Sequence, residues 1–93
     1  MLNDLTNRIA KTLQTRPFEG SLKFDCGADG VIVLADGTAT NIDQDTDCTL
    51  TISTENLVKL LTGKLNPMTG MMTGKLKLSG NPAVAMRLAK LIG

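Results

Sequence analysis

The chain has 93 residues and a formal net charge of +1; it lacks histidine, tryptophan and tyrosine, and its only phenylalanines are Phe18 and Phe24. A chain of this length makes one small domain, residues 1–93, that hides roughly 60–65% of its unfolded surface. Without histidine it has neither the commonest general base nor the commonest metal ligand, which excludes Ser-His-Asp triads and most zinc sites.

The charge is unevenly spread. From Pro17 to Val58 eight acids stand against Lys23 alone, a net −7; from Lys59 to Gly93 there are six bases and no acid, +6; Met1 to Arg16 adds +2. A basic, apolar last third suits an anionic amphiphile or an anionic membrane surface. Nucleic acid is not an expected partner, since the chain has almost no aromatic side chains for stacking and is not basic overall. No apolar run approaches the ~20 residues that span a bilayer. The opening MLNDLTNRIA also lacks the basic and continuous apolar regions of a secretory signal, so a soluble, cytoplasmic protein is expected.

In chain order, Leu2, Leu5, Ile9 and Leu13 recur at three- and four-residue steps and predict an amphipathic helix that Pro17 ends. Leu22, Phe24 and Cys26 alternate with Lys23 and Asp25, the period of a half-buried strand. Asp29-Gly30 is expected to turn the chain into the apolar run Val31 to Ala35, and Asp36-Gly37 to turn it again into a polar strand from Thr38 to Asp43. A fourth strand has Cys48, Leu50 and Ile52 inward. Ser53 or Thr54 then caps a helix with Leu57, Val58, Leu60 and Leu61 on one stripe, closed by Gly63.

Asn66-Pro67 and Asn81-Pro82 each read as an N-cap followed by proline at the first helical position, where its missing N–H costs nothing. Between the two helices they open, Lys75 to Ser79 alternates as a fifth strand with Leu76 and Leu78 inward and Lys75 and Lys77 outward. The pattern is α+β: a single mainly antiparallel sheet of five strands with helices packed on it.

Three motif-like stretches fail on chemistry. Asp43-Gln44-Asp45-Thr46-Asp47 opens like a calcium loop, but Cys48 stands where the sharp turn needs glycine and Thr54 where a bidentate glutamate belongs. Gly70 to Lys75 imitates a phosphate loop but is one residue short and leads into a strand rather than a helix. Cys26 and Cys48 fall on the apolar phase of their strands and read as buried thiols. No catalytic residue, metal ligand or cofactor site emerges.

Asp47-Cys48-Thr49-Leu50-Thr51-Ile52, Gly63-Lys64-Leu65-Asn66-Pro67, Gly74-Lys75-Leu76-Lys77-Leu78-Ser79-Gly80-Asn81 and Ala85-Met86-Arg87-Leu88, in that order, resemble the sterol carrier protein type 2 domain family. The resemblance implies a five-stranded sheet with helices over one face, enclosing an apolar tunnel. It also implies non-enzymatic binding and transfer of fatty acids, acyl-CoA, phospholipids or sterols. Met71 and Met72 stand where the family often has paired phenylalanines, which disfavours flat sterol rings. The ending Leu91-Ile92-Gly93 is not the Ser-Lys-Leu type that addresses peroxisomes.

On this reading Leu57, Leu60 and Leu61 of one helix, Leu76 and Leu78 of the fifth strand, and Val84 and Leu88 of the last helix line the lipid site. Met68, Met71, Met72 and Met86 add flexible, polarizable walls that adapt to varied acyl chains. Lys75, Lys77, Arg87 and Lys90 are the expected contacts to a membrane or headgroup. The protein is expected to be a monomer or weak dimer whose partners are a lipid or acyl-CoA ligand and, transiently, an anionic membrane. The alternative is an interaction or oligomerisation module with the same fold and a packed interior.

Overall fold

A computed structural model describes residues 2–88. Helix α1 (Leu2–Thr15) leads to β1 (Leu22–Asp25), a single 3-10 turn (Gly27–Asp29), β2 (Val31–Ala35), β3 (Thr38–Thr40) and β4 (Cys48–Ile52). Helices α2 (Thr54–Leu61) and α3 (Pro67–Met72), strand β5 (Leu76–Gly80) and helix α4 (Pro82–Met86) complete the order. The five strands form one sheet, ordered β3-β2-β1-β4-β5. Every pairing is antiparallel except β1 with β4, which run parallel.

The expected meander of β1, β2 and β3 is present. Asp36 (φ 53°) and Gly37 (φ 76°) both adopt the left-handed region that a two-residue hairpin turn demands, and Ala35 pairs with Thr38 across it. The Asp29-Gly30 turn is different. The chain leaves β1 through the 3-10 turn, the Cys26 N–H donates to the Gly30 carbonyl at 2.9 Å, and the Asp29 carboxylate accepts the Thr54 hydroxyl proton at 2.6 Å. An aspartate occupied by a residue 25 positions away is a tertiary anchor for the loop, so the hairpin is wider than the dipeptide alone suggests.

Strand β3 is also shorter than the expected Thr38–Asp43. At Asn41 the chain departs, and the side-chain amide donates to the Val31 carbonyl (3.0 Å) and to the Thr6 hydroxyl (2.8 Å), tying the sheet to α1. The rest of the connection returns across the sheet to β4, which lies on the far side of β1. On the way Asp43 pairs with Lys23 at 2.6 Å.

One face of the sheet carries the core. Leu22, Phe24, Ile32, Leu34, Cys48, Leu50, Ile52 and Leu76 meet Leu2, Leu5, Ile9 and Leu13 of α1 and the apolar residues of α2 and α4 in one continuous cluster. Each of the four α1 positions predicted to face inward is buried. The opposite face presents Lys23, Thr49, Thr51 and Lys77. Val33 is buried there too, flanked in register by Lys23 and Thr40. Among the described residues, no helix is long and apolar enough to cross a membrane.

Candidate functional site

The apolar layer between the β4–β5 edge and the three later helices is built by short, well-capped elements. Ser53, not Thr54, caps α2: its Oγ accepts the Asn56 N–H at 3.1 Å. Asn66 caps α3 and Asn81 caps α4, each with proline at the first turn as the sequence predicts. Leu57, Leu60 and Leu61 of α2 and Val84 of α4 are buried in one cluster with Leu76 and Leu88, and Leu78 packs partly buried against it. Val58, expected on the α2 stripe, lies instead at the surface. The apolar stripe of this helix is narrower than its sequence suggests.

The methionines are placed otherwise. Met68, Met71, Met72 and Met86 are exposed, Met72 at 84% and Met71 at 47%. The cause in α3 is Gly70, its only buried residue. A Cβ at Gly70 would stand 2.8 Å from the Leu76 Cδ2 atom, so the helix lies with its backbone against β5 and the methionines fan away from it. Val84 of α4 and Leu88, two residues past the helix end, are both buried, while Met86 between them faces water. The seven aliphatic residues of the expected lining therefore come together in the core, while the four methionines stand outside it.

Of the basic residues, Lys75 and Lys77 are exposed and make no ion pair with a described residue. Arg87 serves inside the structure: its guanidinium donates to the Glu19 carbonyl at 2.9 Å, drawing the end of α4 onto the loop before β1. Lys90 lies outside the described residues. Asp47, which the sequence places in a solvated acidic turn, is a junction. It accepts the Ser21 N–H at Oδ2 (3.1 Å), its own N–H donates to the Ser21 hydroxyl (2.7 Å), and its carbonyl accepts the Asn81 N–H (2.8 Å). Its Asp-x-Asp-x-Asp stretch imitates the opening of a calcium loop and fails it by sequence; in the fold Asp43 goes to Lys23 and Asp47 to Ser21. No described group of three His, Cys, Asp or Glu side chains converges to hold an ion.

Both thiols are buried and free. Burial pushes the Cys26 thiol above its ordinary pKa; a Thr54 hydrogen bond opposes this, and the Asp29 and Asp25 charges reinforce it. Burial also raises Cys48, with the Asp47 charge adding to it. Neither thiol is poised as a nucleophile.

Two surface hollows flank α2. One, about 480 Å³, runs along its outer side between Thr54, Val58, Thr62 and Lys64. The other, about 340 Å³, lies where β1 and β4 end and β5 begins, between Asp25, Cys26, Thr51, Ser53, Lys75 and Lys77.

A mixed five-stranded sheet with an aliphatic helix layer on one face defines an α+β domain with a one-sided apolar core. A model of the SCP-2 sterol transfer family matches residues 1–93, and the chain belongs to that family. Sterol carrier protein 2 of Gallus gallus is 49% identical over 53 residues, which is 57% of this chain and 10% of that protein. The chain thus spans about a tenth of the length of the relative it matches. The solution structure of the sterol carrier protein domain 2 of Helicoverpa armigera is 34% identical, with a TM-score of 0.62 over 96% of this chain and 73% of that one. Sterol carrier protein 2 of Aedes aegypti, solved in complex with palmitate, superposes with a TM-score of 0.76 at 21% identity, covering 96% of this chain and 94% of that one. At that identity the likeness is one of fold.

Proposed function

We propose that this domain binds a single-chain or diacyl lipid between the β4–β5 edge and helices α2 and α4, and carries it without chemical change. The observation that carries the reading is the aliphatic layer itself. Leu57, Leu60, Leu61, Leu76, Val84 and Leu88 form a wall with no polar side chain to orient a reaction, on a fold whose Aedes aegypti relative was solved with a fatty acid. Membership in a sterol transfer family supports carriage over catalysis. The exposed methionines of α3 fit the mouth of such a site, where a flexible thioether meets an entering acyl chain. Lys75 and Lys77, standing in water, suit an anionic membrane or headgroup.

A ligand that binds only the native state raises stability by RT ln(1 + [L]/Kd), about 2.7 kcal/mol at a hundredfold excess over Kd. For a domain this small that is a rise of roughly 10–20 °C in melting temperature. The test is a melting panel of fatty acids, acyl-CoA, phospholipids and sterols. Flat curves across the panel would leave the second reading, an interaction module. The exposed Met68, Met71, Met72 and Met86 favour that reading, and it predicts a ligand-free dimer in native mass spectrometry after delipidation.

A further inference from the structure

The 340 Å³ hollow at the end of the sheet has a composition that the aliphatic layer does not explain. Its lining includes Cys26 and Ile52, both members of the buried core, so the hollow adjoins the edge of the apolar layer. Lys75, Lys77, Thr51 and Ser53 also line it. Among the described residues no carboxylate pairs with either lysine. Of the other cations, Lys23 is held by Asp43, Lys59 by Glu55 and Arg87 by the Glu19 carbonyl, while Arg8, Lys11, Arg16 and Lys64, like the two lysines of the hollow, make no ion pair with a described residue.

The backbone fixes the arrangement. Asp25, Thr51 and Lys77 stand side by side in register across β1, β4 and β5, and Lys75 enters the hollow directly after the turn at Gly74. Ser53 caps α2 through its Oγ lone pair, which leaves its hydroxyl proton to donate outward. The one acid present, Asp25, directs Oδ1 to the Gly27 N–H at 3.0 Å, within its own loop.

Resting on the carrier reading, we infer that this hollow is the head site: it holds the phosphate ester of a lipid whose chain enters the aliphatic layer past Cys26 and Ile52. A hollow lined by two lysines and two hydroxyl residues beside core apolar residues is the complement of an anionic amphiphile. Two lysines on flexible stems fit a phosphate, with its several acceptor oxygens, as point charges rather than a planar fork. The shallow, open form of the hollow suits a head that stays partly hydrated. Asp25 then acts against binding, which gives the site a residue whose neutralisation should tighten it.

The test is a matched set of ligands titrated calorimetrically below their micelle concentrations: a lysophosphatidic acid, the monoacylglycerol with the same chain, and glycerol 3-phosphate with no chain. Two exposed charge pairs of ordinary strength give about a tenfold preference for the phosphate lipid over the neutral one. The double variant Lys75→Gln/Lys77→Gln should lose that preference while its affinity for the monoacylglycerol holds. Asp25→Asn, which keeps the oxygen that accepts the Gly27 N–H, should widen the preference about threefold. Lys59→Gln/Lys64→Gln, on the other hollow, should change neither affinity.

A double variant that keeps the preference, or that loses both lipids equally, overturns the head site and leaves the carrier standing. Glycerol 3-phosphate binding as tightly as the lipid would make the hollow a free-phosphate site and also overturn the assignment. A wild-type protein that binds neither lipid removes the carrier reading and the head site together.

Discussion

Gly80→Ala tests how the β4–β5 edge is held. Gly80 ends β5 opposite Cys48 with φ at 95°, and a Cβ there would lie 2.5 Å from the Asp47 carbonyl oxygen and 2.9 Å from the Cys48 Cα. Both obstacles are backbone, so no side-chain rotation relieves them. A residue with a Cβ costs about 1–2 kcal/mol in the left-handed region, and forcing β5 off β4 adds the roughly 1–3 kcal/mol typical of overpacking. The expected loss is about 2–5 kcal/mol, from a domain whose whole stability is about 5–14 kcal/mol. Gly74→Ala is the control: φ is 76° there, but nothing lies within 4 Å of the added methyl, so only the backbone cost applies. Equilibrium urea unfolding should show a lower midpoint for both variants with unchanged slope, and a much lower one for Gly80→Ala. The same shift strains the Asn81 N–H bond to the Asp47 carbonyl that starts α4, so lipid should raise the melting temperature of Gly80→Ala less than that of Gly74→Ala. Equal midpoints for the two variants would falsify the close approach.

Met72→Asp, at a position 84% exposed, should unfold within about 0.5 kcal/mol of wild type. Val33→Asp, at a position 1% exposed, should lose several kcal/mol to the buried carboxylate. If α3 forms the mouth of the site, Met71→Asp and Met72→Asp also weaken lipid binding, and wild-type affinity in both would exclude that helix from the site. The thiols give a pH signature. Their folded pKa values lie above the unfolded ones, so their contribution is complete below about pH 9 and is lost as pH rises through the folded values. Urea midpoints measured from pH 7 to 10.5 should fall less steeply in Cys48→Ala than in wild type, and parallel curves would refute the linkage.

The parts of the fold legible in the sequence are those with a local cause. The α1 stripe, the Asp36-Gly37 hairpin and the two Asn-Pro caps each follow from a few neighbouring residues, and the structure forms all of them. Nothing local places β4 parallel to β1 or takes Asp29 from its turn to reach Thr54. Asp47 shows the same limit from the other side, because a carboxylate in an acidic loop looks solvated until Ser21 and Asn81 are brought to it. The exposure of the α3 methionines has a nearer cause: one small residue, Gly70, lets the helix backbone meet β5, so the methionines around it face away. A lone glycine inside a helical pattern was the available sign of close approach.

That packing bears on how a carrier of this size could open. An empty apolar chamber of ~300 Å³, the low end for ligand pockets, would cost about 7 kcal/mol at ~24 cal/mol per Å³. This is of the same order as the whole stability of the domain, about 5–14 kcal/mol. Leu57 and Leu60 of α2 and Leu76 of the sheet are accordingly buried. On the carrier reading, lipid replaces side-chain contacts, and the element that yields is the one held by least. Strand β5 has a five-residue ladder to β4. Helix α2 has two turns and three buried leucines. Helix α4 has five residues, far below the length at which a helix holds itself together, and is tied by its Asn81 cap, the Asn81 N–H to Asp47 and the Arg87 guanidinium to Glu19. The last tie is exposed and the least costly to break, which gives Arg87 a role in setting how readily α4 parts from the sheet. Arg87→Gln should therefore speed lipid entry and exit together, measured by stopped-flow release of a fluorescent fatty acid, with little change in affinity. An unchanged release rate would assign the opening to another element.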